Sequence, residues 1–247
     1  MRPVFAIGPA GFVPALIVFD KDGTLIDFEA MWGGWVEELA RRLEAATGRR
    51  LSDRLFQALG FDAVSGEVLP EGRLAVMPMA ELHVFIIGWL VATIGMPQEV
   101  AAVALAEAWY APDPVHLARP VTDLAQLFGA LRKLDLKIAI ATTDDRAPTE
   151  TTLAALGLRA YVDGLTCGDD GIKVKPAPDM VLALCRSLDV KPCRTVVVGD
   201  TVADLRMGRS AGVALTVGVL TGAGTAEMLA PYADVLLPSI AGLVRSV

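Results

Sequence analysis

The chain has 247 residues, 53% of them hydrophobic, and 29 acidic against 22 basic side chains give a formal net charge of −7. That much apolar material builds a substantial core and excludes a disordered chain. With no lysine or arginine run longer than a pair, the acidic balance also excludes the phosphate-tracking surface of a nucleic-acid binder.

The apolar N-terminus carries Arg2 but is broken by Gly8, Pro9, Gly11 and Pro14, so no signal peptide is expected there. Leu16-Ile17-Val18-Phe19 reads as a buried strand. It runs into Asp20-Lys21-Asp22-Gly23-Thr24, which places two carboxylates and a glycine turn at the strand's carboxyl end, where open α/β sheets carry their chemistry. Alternation along an extended chain aims Asp20 and Asp22 at one small volume and predicts that Lys21 points elsewhere. Gly23 frees the backbone to turn peptide N–H groups toward an anion.

From Ala30 to Tyr110 the pattern is helical. Helices are predicted at Met31–Ala46, closed by Gly48, at Ser52–Leu59, closed by Gly60, and at Met79–Thr93 and Gln98–Tyr110, with no strand between them. The apolar run Val84 to Met96 falls short of the roughly 20 residues that cross a bilayer and is expected to be a buried helix, so no membrane is expected as a partner. Phe28, Met31, Trp32 and Trp35 suit either the packing of the first helix or a leaving-group pocket, and Gly33-Gly34 suits a hinge. Ala111-Pro112-Asp113-Pro114 reads as a linker.

Beyond it, short apolar strands alternate with helices. Strands are predicted at Lys137–Ala141, Tyr161–Leu165, Thr195–Val198, Ala214–Val217 and Asp234–Leu237. Helices are predicted at Thr122–Lys133, Pro148–Leu156, Pro178–Leu188, Val202–Arg209 and Thr225–Leu229. This alternation implies a doubly wound parallel sheet, an α/β fold with a helical insert after its first strand. The expected boundaries are a core of 1–28 and 113–247 and a helical cap of 29–112, the cap acting as a lid. The three cysteines, Cys167, Cys185 and Cys193, make no C-x-x-C pair, which points away from a disulfide framework and toward the cytoplasm.

Three more strand ends carry polar groups. Thr142-Thr143 follow one strand and offer hydroxyls and N–H groups to a phosphoryl oxygen, although a threonine there also suits a cap or turn. Lys175 stands in Lys173-Val174-Lys175-Pro176, where a stiff proline turn aims its ammonium, or solvates it at the surface. Asp200 and Asp204 leave the strand ending at Val198-Gly199 and either share a face or cap the next helix. An acidic protein that handles an anion needs local positive charge, and a divalent cation held by carboxylates is a common source, so a metal is expected.

The segments FDKDGTL, AIATT, KVKPAPD and VVGDTVADLRMGRSAG, in this order, resemble the haloacid dehalogenase superfamily, in particular its phosphoglycolate-phosphatase-like branch with a helical cap over a Rossmann-like core. The resemblance implies that Asp20 is a nucleophile forming an aspartyl-phosphate and that Asp22 is the acid/base. It also implies that Asp22, Gly23, Thr142, Thr143 and Lys175 bind the transferred phosphate. Mg²⁺ is implied at the Asp20 carboxylate, the Asp22 carbonyl and Asp200, with Asp204 supporting the metal or its water and orienting Lys175. The implied reaction is Mg²⁺-dependent hydrolysis of a small phosphorylated metabolite, phosphoglycolate by default, in a monomer or homodimer. A sugar-phosphate mutase shares both aspartates, and a phosphate-binding regulatory protein is the non-enzymatic alternative. A phosphonate hydrolase of this superfamily needs a cap lysine, and 30–110 contains none.

Two other readings fail on context. Gly208-Arg209-Ser210-Ala211-Gly212 matches a nucleophile elbow but follows a predicted helix, and both histidines, His83 and His116, precede it. Gly222 and Gly224 form only part of a dinucleotide fingerprint and fit a loop near the site. Arg49, Arg50, Arg54, Arg73 and Arg146 could anchor a second anionic group or be solvated.

Overall fold

In a computed structural model, residues 3–8, 12–69, 72–110 and 118–246 are described. They form two compact units, 1–28 with 114–247, and 29–113. The predicted linker and His116 lie outside the described residues.

In chain order, β1 (Pro3–Phe5) and β2 (Leu16–Phe19) precede α1 (Phe28–Thr47), α2 (Ser52–Leu59), β3 (Phe61–Asp62), β4 (Glu67–Val68), α3 (Arg73–Val76), α4 (Met79–Ile94) and α5 (Gln98–Ala108). Then come α6 (Leu124–Lys133), β5 (Lys137–Ala141), α7 (Arg146–Ala155), β6 (Gly164–Thr166), α8 (Asp179–Ser187), β7 (Thr195–Gly199), α9 (Val202–Ala211), β8 (Leu215–Val219), α10 (Ala226–Leu229), β9 (Val235–Leu237) and β10 (Val244–Ser246).

In the first unit, a six-stranded parallel sheet has the order β6-β5-β2-β7-β8-β9. All four residues of β2 are buried, because the strand lies in the middle of the sheet with helices on both faces. Ile17 and Phe19 join Leu124, Leu127, Phe128 and Leu131 of α6 in one apolar cluster. Leu16 and Val18 join Met180, Val181 and Leu184 of α8 and Met207 of α9 in the other. Burying each such side chain contributes about 1.5–3 kcal/mol, so a four-residue strand is held by its two layers rather than by its own length.

The register sets the site. Phe19 stands opposite Ile140 of β5 and Val198 of β7, so the residues after all three strands emerge at one edge of the sheet. β1 pairs antiparallel with β10, a contact between the two ends of the chain that no local pattern announced.

The second unit is mainly helical. Trp35, Leu39 and Leu43 of α1, Leu55 and Leu59 of α2, Ile86 and Leu90 of α4 and Leu105 of α5 are buried. The Trp35 indole packs edge-on against Trp32 and Trp109, and its Nε1 donates to the Tyr110 carbonyl at 2.9 Å.

Several predicted elements need correction. A two-residue hairpin, β3 with β4, interrupts the helical block, because Gly60 and Gly66 adopt positive φ and turn the chain back on itself. α4 is not buried throughout: Ile86, Trp89 and Leu90 face inward, whereas Val84 is exposed, so an apolar run is carried on a helix with one wet face. The strand predicted at Tyr161–Leu165 begins later, at Gly164, because Arg159–Tyr161 forms a 3-10 turn. Gly33-Gly34 lies within the continuous helix α1.

Candidate active site

β2 delivers Asp20, whose N–H donates to the Val198 carbonyl at 2.9 Å and extends the ladder one residue past the strand. The chain then folds tightly. Gly23 takes φ 78° and donates its N–H to Ile26, while Leu25 and Ile26 return their N–H groups to the Lys21 carbonyl. The turn is closed from β8's side by Thr221, whose hydroxyl donates to the Gly23 carbonyl at 2.6 Å.

Five carboxylates, Asp20, Asp22, Asp144, Asp200 and Asp204, and two lysines, Lys21 and Lys175, meet here among the described residues. The Lys175 ammonium is bonded to Asp20 and lies 2.6 Å from Asp204 Oδ1, with its side chain only 5% exposed. Asp20, Asp200 and Asp204 each offer an oxygen within 4.8 Å of the others, and all three are buried as a group. Asp200 accepts a hydrogen bond from the Thr24 hydroxyl at 3.3 Å and from Ala223 N–H at 2.9 Å, both neutral donors. Its surroundings leave no room: a Cβ on Gly222 would come 2.0 Å from Asp200 Oδ2, and one on Gly23 2.4 Å from it. The glycines of the first turn and of 222 are therefore requirements of this carboxylate's position.

Asp204 has two roles. Its Oδ2 accepts from Thr201 N–H and hydroxyl, and Thr201 in turn caps α9, so a reciprocal capping box fixes the side chain. The other oxygen is left to Lys175. For Asp204 the capping and shared-site readings thus merge, since the oxygen engaged in the capping box leaves the other to Lys175, whereas Asp200 takes no part in the cap, which Thr201 supplies.

Thr142 is buried at the end of β5, with its N–H on the Thr166 carbonyl and its Oγ1 accepting from Asp144 N–H at 3.2 Å. Thr143 follows it, and its carbonyl approaches Gly168 so closely that a Cβ there would sit 2.1 Å away.

Lys21 departs from expectation. Its ammonium binds Asp22 Oδ1 at 2.7 Å and Asp144 Oδ2 at 2.9 Å, with 2% of the side chain exposed, so it engages the site's carboxylates instead of pointing away from them. Neither Lys21 as a partner of Asp22 nor Asp144 is reached by motif reading. A lysine in a strand end flanked by buried strands needs counterions, and that was the available signal.

Burial dominates the electrostatics. It lifts Asp20 to about 7, against the pull of Lys175, and Asp22 to about 6, against the pull of Lys21. Asp200 is pushed well above the usual carboxylate range by burial and then by Asp20 and Asp204. Burial works against the charge on both lysines, yet Asp20 and Asp204 hold Lys175 above its ordinary value, as Asp144 and Asp22 do Lys21. The site therefore gathers more carboxyl groups than its two lysines pair, and burial disfavours charging all of them together.

The remaining candidates are placed elsewhere. Arg146 is clamped to Asp170 at 2.7 Å, and Arg49, Arg54 and Arg73 donate to the carbonyls of Ile94, Thr93 and Ala58. Ser210 lies inside α9, away from any strand-to-helix elbow. His83 packs edge-on against Trp109.

A family model for haloacid dehalogenase-like hydrolases matches residues 14–212. The plasmid phosphoglycolate phosphatase of Cupriavidus necator is 28% identical over 230 residues, 92% of this chain and 90% of that protein. The phosphoglycolate phosphatase of Rhodospirillum rubrum is 32% identical over 110 residues, 44% of this chain and 46% of that protein. A crystal structure of a predicted phosphoglycolate phosphatase from Haemophilus somnus superposes with a TM-score of 0.65 at 18% identity, covering 92% of this chain and 95% of the other, which is a likeness of fold.

Proposed function

Because the chain belongs to the haloacid dehalogenase-like hydrolases, we propose that it is a Mg²⁺-dependent phosphatase of small phosphomonoesters working through an aspartyl-phosphate on Asp20. The observation that carries this reading is the pairing of Asp20 with Lys175 beside Asp200 and Asp204, with Asp22 two residues further along the chain from Asp20.

The donor set suits a hard divalent cation. Three buried carboxylates lie within 4.8 Å of one another, and Asp200 has only neutral hydrogen-bond donors among the described residues. Oxygen ligands with room for water are what Mg²⁺ takes. Asp20 and Asp200, with the Asp22 carbonyl, would hold the ion, and Asp204 would orient Lys175 beside it. When bound, the cation neutralises charge on the phosphoryl oxygens and on the nucleophile.

Asp20 attacks phosphorus as the ester P–O bond breaks, and Asp22 gives its proton to the departing alkoxide oxygen. Lys175, Thr142, and the backbone around Gly23 and Thr143 bind the phosphoryl group throughout. Water then attacks the acyl phosphate, Asp22 takes the water's proton, and inorganic phosphate leaves with Asp20 restored. The proposed setting is the cytoplasm, in keeping with three cysteines that are all free. The helical insert, entering the chain just past the site loop, is proposed to select the leaving group.

Phosphoglycolate heads the list of substrates to test because two relatives carry that activity in their names. The sugar-phosphate mutase has less behind it. The test is phosphate release from a panel of small phosphomonoesters with Mg²⁺ and with EDTA. Metal-dependent release with one preferred ester supports the reading. Isomerisation of a hexose bisphosphate without release would replace it with the mutase, and silence in both assays with the binding protein.

A second expectation concerns pH. Asp20 at about 7 and Asp22 at about 6 keep protons at the site in mildly acidic solution. A protonated carboxyl holds a cation poorly, so the ion must displace a proton. Mg²⁺ affinity should therefore rise as pH goes from about 6 to about 8, with proton release on binding. Calorimetric titrations in buffers of different ionisation enthalpy measure both, and an affinity flat across that range would contradict the assignment.

A further inference from the structure

Lys21 lies between the two catalytic carboxylates in sequence, yet the proposed chemistry does not use it. It is among the most deeply buried large side chains of the protein, and its ammonium is bracketed by Asp22 Oδ1 at 2.7 Å and Asp144 Oδ2 at 2.9 Å. Burying a lysine costs so much that one retained here must meet compensating charge, and both of its partners belong to the site's rim. Asp22 follows β2. Asp144 follows β5 two residues after Thr142, and its N–H donates to the Thr142 hydroxyl. One cation thus ties the loop carrying the acid/base to the loop carrying a phosphate-binding threonine.

The arrangement repeats what Lys175 does for Asp20. That nucleophile is held by a lysine which a second carboxylate, Asp204, holds in turn. Asp22 is held by Lys21, which Asp144 holds. Each reacting carboxylate therefore carries its own lysine, and each lysine its own anchoring aspartate.

Building on the phosphatase reading above, we propose that Lys21 is a positioning residue. By engaging one oxygen of Asp22 and anchoring on Asp144, its ammonium fixes that carboxylate in a single orientation, so that the second oxygen meets the ester oxygen and then the water. Without the lysine, Asp22 and Asp144 are two carboxylates facing each other with no cation between them. Asp22 then rotates away, and proton transfer loses the alignment on which its rate depends.

The test exploits leaving groups. An alkyl alkoxide must be protonated as it departs, whereas p-nitrophenolate leaves as a stable anion. First-turnover release of alcohol is measured by rapid quench for an alkyl phosphate and for p-nitrophenyl phosphate, in native protein, Lys21→Met and Lys21→Arg, with thermal unfolding recorded in parallel. Lys21→Met is expected to slow the alkyl ester by about 100-fold and the aryl ester by less than about threefold, with partial recovery in Lys21→Arg. Should Lys21→Met not fold, Lys21→Met with Asp144→Asn removes the repulsion while still freeing Asp22, and the same split is expected. A role confined to holding the fold would lower both esters alike, and either that result or no change in either ester overturns the proposal. If native protein released neither alcohol, the phosphatase reading itself would fall and take this proposal with it, a result distinct from an active native enzyme with no split.

Discussion

Asp20→Asn is expected to abolish phosphate release, by at least roughly a thousandfold, because it removes the only nucleophile of the covalent path. The side chain changes from a carboxylate to an isosteric amide that cannot form an acyl phosphate, while the shape of the turn around Gly23 is untouched. Lys175 keeps Asp204 as a partner at 2.6 Å, so the ammonium is not stranded. Burial already disfavours the Asp20 charge, lifting the group to about 7, so neutralising it is not expected to lower the midpoint of thermal unfolding. An inactive but folded protein, shown by phosphate assay beside thermal unfolding, is the expected pair of results. Substantial activity in Asp20→Asn would shift the attack to water directly and remove the intermediate from the mechanism.

The second large effect is expected for Asp22→Asn. Asparagine can still accept from Lys21 through its carbonyl oxygen, so the tie to Asp144 survives. It can neither give nor take a proton, and both halves of the reaction suffer. For an alkyl ester, alcohol release in the first turnover should fall by about 10²- to 10⁴-fold, the usual worth of a positioned acid or base. For an aryl ester, first-turnover release should persist but turnover should stall, with phosphorylated protein accumulating because water is no longer activated. Trapping that species by acid quench and finding the added phosphoryl mass on the peptide containing Asp20 checks the assignment. Equal loss of both esters without an accumulated intermediate would place the proton transfers elsewhere.

Elements held by interactions local in the chain are legible in the sequence, and those held by distant partners are not. Leu16–Phe19 and Lys137–Ala141 have the bounds that the sequence predicts, because short apolar runs bounded by turn residues have few other outcomes. Ser52–Leu59 was read to its last residue because Gly60, at φ 76°, ends the helix by its own backbone freedom. Asp20, Asp22 and Asp200 follow strand ends, where the alternating pattern itself marks the spot, whereas Lys175 sits in the proline turn before α8 and Asp204 in the first turn of α9, not at strand ends. The two-residue strands β3 and β4 have no signature in the sequence because a hairpin so short carries no periodicity. Pro3–Phe5 was not expected to pair, because its partner lies at the far end of the chain.

The sequence alone therefore determined the class of the fold and the alternation of the main strands and helices after residue 120, since these follow from periodicity and from backbone preferences of residues close in the chain. Only the tertiary structure decided which charges meet. It showed that Asp204 serves a helix cap with one oxygen and Lys175 with the other, and that Asp200 fits solely because Gly23 and Gly222 lack a Cβ. It also turned Lys21 from a side chain expected to face away into the link between Asp22 and Asp144. Coulombic and hydrogen-bond partners are selected by distance in space, and a flexible four-carbon stem lets an ammonium reach partners that strand alternation does not assign to it.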